Sequence, residues 1–61
     1  MTLNFEFPTG PSAHYFFEEL SGVDGACIKH RVVWVECPEA NVSEVRELAQ
    51  SFEGREIPQW P

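Results

Sequence analysis

Residues 26–38, ACIKHRVVWVECP, constrain this chain more than any other stretch. They form its longest β-prone run. They also hold both cysteines, one of the two histidines, one of the two tryptophans and two of the four Lys and Arg side chains. A strand turns successive side chains to opposite faces. Read as one strand over about 26–37, Val33 and Val35 share one face, and Val32 and Trp34 share the other. The segment is therefore apolar on both sides. A Trp in such a central strand is expected among the most buried residues.

The first segment behaves differently. In TLNFEF, Leu3, Phe5 and Phe7 alternate with Thr2, Asn4 and Glu6, the pattern of a half-buried strand over about 2–7 with one wet face. Pro8, Thr9, Gly10 and Pro11 end it. Residues 11–21 read as a helix. Pro11 suits the first turn, and Ala13, Phe16, Phe17 and Leu20 make an apolar stripe at helical spacing. Tyr15, Glu18 and Glu19 fall largely opposite, and Gly22 is placed as the C-cap. A second helix over about 42–52 carries Val45, Leu48, Ala49 and Phe52 on one side, with Ser43, Arg46, Glu47 and Gln50 on the other. Asn41 and Glu44 resemble a capping box, and Gly54 ends the helix. In the tail, 55–61, prolines forbid a helix or a central strand, although 55–57 can add a short edge strand.

The order is thus β-α-β-α, with a possible final β, in a single small α/β or α+β domain over 1–61. The simplest architecture packs both helices on one face of a two- or three-stranded sheet. Alternating elements favour a parallel β-α-β unit, with an antiparallel meander as the alternative. A sheet covered on one face leaves one apolar pair of the second strand bare. Ile57 and Trp60 of the tail, or a partner, would have to cover it. The interface candidates are therefore Val33, Val35, Trp34 and Trp60, with the basic side chains Lys29 and Arg31 as a contact for an acidic partner.

Charge and cysteine spacing narrow the function classes. A net charge of −6 over 61 residues opposes binding to phosphate backbones, leaving nucleic-acid mimicry as a minor reading. It also opposes anionic membrane surfaces. No signal peptide and no apolar run of about 20 residues is visible, so the expected location is the cytoplasm. Cys27 and Cys37 would lie about 33 Å apart along one straight strand, far beyond disulfide reach. Two reduced, mostly buried thiols are expected. Cys27, His30, Cys37 and His14 show no metal-ligand spacing, so neither a metal nor a cofactor is expected. No phosphate-binding glycine loop, nucleophile elbow or zinc-protease motif occurs, and Glu18 and Glu19 sit on an exposed helix face.

Two functional readings follow. The first is a small acidic interaction or regulatory protein that binds another protein, as a homodimer; a phage- or mobile-element-type inhibitor is one example. The second is a small enzyme or ligand-binding protein whose pocket forms between subunits from His14, Tyr15, Cys27 or His30. A cluster of those four side chains favours the second reading, and their dispersal favours the first.

Overall fold

The computed structural model describes residues 1–58. The elements run β1 (Thr2–Glu6), α1 (Gly10–Glu19), β2 (Gly25–Lys29), β3 (Val32–Glu36), a single 3-10 turn (Glu39–Asn41), α2 (Val42–Ser51) and β4 (Arg55–Ile57). The sheet has four strands in the order β2-β3-β1-β4, with every neighbouring pair antiparallel. It is an α+β domain with two helices and four strands, not two or three.

The segment expected as one strand is a hairpin. It reverses at His30 and Arg31, and Lys29 pairs with Val32. His30 takes φ 56°, a left-handed conformation that His adopts more readily than most residues with a Cβ. The Arg31 carbonyl then accepts from the Phe7 N–H at 2.8 Å, which locks the turn beside the end of β1. The longest dimension of the folded chain is 28 Å, less than the ~33 Å a straight run from Cys27 to Cys37 needs.

The connections explain how both topological expectations are partly met. β1 and β2 run in the same direction, as a β-α-β crossover requires, but β3 lies between them. β3 and β4 are likewise separated by β1. Each crossover unit thus receives a strand of the other, so all neighbours end up antiparallel. This is the split β-α-β, or ferredoxin-like, topology.

The register sorts side chains into rows. On one face lie Ala26–Val35–Leu3 and Ile28–Val33–Phe5, with Phe7 and Cys37 continuing β1 and β3. Leu3, Phe5, Phe7, Val33, Val35 and Cys37 are buried there with Ala13 and Phe16 of α1 and Val42, Val45 and Ala49 of α2. Phe16 meets Phe5 edge-on at 5.5 Å and Phe7 at 4.9 Å.

Local chemistry sets the helix ends. Thr9 caps α1 by accepting from the Ser12 N–H at 3.2 Å. The Ser12 hydroxyl donates to the Phe52 carbonyl at 3.0 Å, tying the start of α1 to the end of α2. Two expected caps fail. Leu20, in extended conformation, ends α1 rather than Gly22. Asn41 makes no capping bond; its Nδ2 donates to the Gly22 carbonyl and pins the lead into β2 against the 3-10 turn. Gly22, at φ 68°, leaves room for that amide. Gly54 lets the chain pass close over the Phe7 ring into β4; an added Cβ would overlap the ring.

Two outcomes follow. Deleting the Phe16 ring costs on the order of 3–5 kcal/mol. A chain of this length has roughly 3–9 kcal/mol in all, so thermal melts should show Phe16→Ala largely unfolded. At the turn, His30→Gly should melt close to wild type, whereas His30→Val should lose about 1–2 kcal/mol, because a β-branched residue resists positive φ.

Candidate functional site: the open face of the sheet

The helices cover one face of the sheet, and the other is built from three rows. The central row crosses all four strands as Cys27–Trp34–Asn4–Ile57. On one side runs a charged row, Lys29–Val32–Glu6–Arg55, in which Arg55 is ion-paired with Glu6. On the other side Gly25, Glu36 and Thr2 align, and the Thr2 hydroxyl donates to Glu36 at 3.0 Å. An apolar centre bordered by charged and hydroxyl side chains is the usual anatomy of a protein–protein contact.

Asn4 is the unusual member of the central row. It is 7 % exposed, and its Oδ1 has no hydrogen-bond partner among the described residues. A buried acceptor left unpaired costs about 1–3 kcal/mol. Trp34 stands beside it on β3 and is half-buried. The centre of the face thus combines an aromatic surface with a carbonyl oxygen that finds no donor among the described residues.

The sequence-derived candidates are distributed as follows. Val33 and Val35 are fully buried under the helices, so they offer no surface to a partner. The face that the helices leave uncovered is that of Val32 and Trp34, where Val32 is nonetheless buried and Trp34 half-buried. Trp34 is consequently not among the most buried residues. The tail residue Trp60 lies outside the described residues. Lys29 is exposed in the charged row of the open face, and Arg31 is exposed in the hairpin turn.

The residues of the pocket alternative do not converge. His14 and Tyr15 line an open hollow on the outer side of α1 with Gly10, Pro11 and Glu18. There His14 Nε2 lies 3.0 Å from a Glu18 carboxylate oxygen. Cys27 is on the open sheet face, and His30 is at the hairpin tip. Among the described residues no group of three His, Cys, Asp or Glu side chains is placed to hold a metal ion. Both thiols are free, with Cys37 buried and Cys27 exposed, so the expectation of two buried thiols holds for Cys37 alone. The hairpin folds the two segments back on each other, yet the thiols point to opposite faces of the sheet.

Asn4 was not singled out by sequence reasoning. In TLNFEF it occupies a wet-face position where a polar residue is ordinary. Its neighbours across the register are Trp34 and Ile57, which strand alternation alone does not reveal.

No protein-family model, curated protein or solved structure matches this chain.

A thiol reagent should separate the two cysteines. Cys27 is expected to react at once in the folded protein and Cys37 only after denaturation, read as the stoichiometry of released chromophore. Cys27→Ser should shift stability by no more than ~0.5 kcal/mol, the usual range for a surface site. Cys37→Ala should cost about 1–3 kcal/mol as a truncation in the core.

Proposed function

We propose that this chain is a small acidic regulatory protein that acts by binding another protein through its open sheet face, as a homodimer, in the cytoplasm. An inhibitor of the kind carried by phages or mobile elements fits this reading. The observation that carries it is the register pairing of half-buried Trp34 with buried Asn4, whose Oδ1 has no hydrogen-bond partner among the described residues. Trp is enriched among the residues that dominate binding energy. A donor from a partner, placed on Asn4, would remove the cost of leaving that oxygen unpaired.

Charge supports a protein rather than a nucleic acid as the partner. On the open face Lys29 and Arg55 stand against Glu6 and Glu36, and Arg55 is already paired with Glu6. Phosphate binding needs a surplus of cations; here Arg55 is paired with Glu6 and the N-terminal ammonium with Glu36, which leaves Lys29 as the one cation of this face outside an ion pair among the described residues. The dispersal of His14, Tyr15, Cys27 and His30 also favours binding over a pocket chemistry.

The test begins with capture of partners from the native host and continues with direct binding measurements on purified proteins. Trp34→Ala should weaken binding by about 2 kcal/mol or more, roughly 30-fold. Tyr15→Ala, a truncation of an exposed aromatic on α1, should leave it unchanged. Asn4→Val should raise the melting temperature, since an apolar side chain removes the unpaired oxygen, while weakening binding. Equal binding by wild type, Trp34→Ala and Asn4→Val would remove the open face from consideration. Sedimentation at micromolar concentration decides the homodimer part.

A further inference from the structure

The outer edge of β2 carries unpaired backbone groups in a defined phase. The Phe7 N–H donates to Arg31, and the Cys37 N–H donates to Met1 at 2.9 Å. In β3, Arg31, Val33, Val35 and Cys37 therefore turn their backbone groups toward β1. Val32, Trp34 and Glu36 turn theirs toward β2, because the direction alternates residue by residue. Their register partners Lys29 and Cys27 point back at β3. Ala26 and Ile28 are left with their N–H and C=O groups facing outward, and no described strand pairs with them.

This edge has little protection. β2 holds five residues in continuous register, without proline. The opposite edge, β4, is three residues long and is followed by Pro58. Natural sheets usually blunt an edge with prolines, bulges or inward charges. In β2 itself Lys29 is the one charged residue.

We propose that β2 pairs antiparallel with β2 of a second copy, about a two-fold axis through Cys27. The proposal rests on the homodimer half of the functional reading and deepens it by naming the seam. An axis at the middle residue pairs the whole strand: Ala26 of each copy exchanges both backbone bonds with Ile28 of the other. It also matches charge. Asp24 lies just before β2, its N–H turned inward to the Glu36 carbonyl at 2.7 Å, and its side chain comes near the hairpin tip of the second copy, where Lys29, His30 and Arg31 lie. An axis one residue to either side shortens the paired strand and moves Asp24 away from that basic tip. The seam is self-complementary, as a two-fold interface must be.

The pairing places the two Cys27 residues directly opposite each other in a non-hydrogen-bonded pair. Their Cα atoms would be about 4.5 Å apart, within the range a disulfide spans. The product is one eight-stranded sheet with a continuous open face. It carries both Trp34 side chains three strand spacings apart, about 14 Å.

The experiment uses the full, reduced chain at micromolar concentration. Sedimentation is followed by brief treatment with diamide, an azo compound that takes up the two thiol hydrogens as the sulfur–sulfur bond forms. Wild type and Trp34→Ala should both sediment as dimers and cross-link through Cys27, with the link absent in Cys27→Ser. Ala26→Pro removes an N–H that faces the seam and not β3, and should give monomer. Asp24→Lys should weaken the dimer about tenfold, because the charge contact occurs twice. Adding Lys29→Asp and Arg31→Asp to it should restore association. If Ala26→Pro fails to fold, as judged by circular dichroism, the charge variants carry the test. A dimer that survives Ala26→Pro and Asp24→Lys but is lost in Trp34→Ala overturns this seam and leaves the homodimer reading standing. A monomer at every concentration overturns both, while binding of another protein through Trp34 is judged by its own assay.

Discussion

Phe16 reaches from α1 to the two aromatic rings of β1, Phe5 and Phe7, at 5.5 and 4.9 Å. β1 is the strand that both halves of the topology share, since it pairs with β3 on one side and β4 on the other. Fixing α1 on β1 therefore fixes the slot into which the hairpin and the last strand must fit. A chain this small buries only about 60% of its unfolded surface, so a few large rings must supply much of the apolar contact. The valines of β3 fill the space beside them. Val33 and Val35 can go beneath the helices because they are small; a Trp there would compete for volume already taken by Phe5, Phe7 and Phe16.

That division of space determines the character of the other face. Once the phenylalanines occupy the covered side, Trp34 and Val32 have the uncovered side of β3. Asn4 comes between Trp34 and Ile57, where a Val or Thr would serve the strand better. A position that weakens the fold without a compensating internal contact is where function is usually found. The same logic separates Asn4 from Asn41, whose Nδ2 donates to the Gly22 carbonyl.

Much of the fold was legible because it follows simple periods. The alternation of Leu3, Phe5 and Phe7, the helical stripe of Ala13, Phe16 and Phe17, and that of Val45, Leu48 and Ala49 each identify an element and its inward side. Residues 55–57 were legible as an edge strand from the prolines that follow. The hairpin was not, because KHR contains none of the Gly, Asn or Pro residues that usually mark a reversal. Two weaker signals were present. Twelve residues is about twice the common strand length, and His tolerates positive φ. Parity correctly grouped Val33 with Val35 and Val32 with Trp34, but it cannot say which group faces the helices. The expectation of a deeply buried Trp34 came from that one ambiguity. Asn4 needed the order of strands, which brings two distant segments to its flanks.

The split topology also has an electrical result. The ends of β1, β2 and α2 and the start of β3 meet at the hairpin tip, where Lys29, Arg31 and Arg55 lie with the carboxylates of Glu6 and Glu53. The opposite end collects Glu18, Glu19, Asp24, Glu36, Glu39 and Glu44, against which stands the N-terminal ammonium, ion-paired with Glu36. The chain is therefore an oriented dipole as well as an anion. In the field of a cationic target it experiences a torque before it makes contact, turning the acidic end forward and the hairpin tip away. The open sheet face then arrives as a flank rather than a front. Encounter would be quickest at low ionic strength and would lose its orientation once the Debye length falls well below the 28 Å length of the molecule.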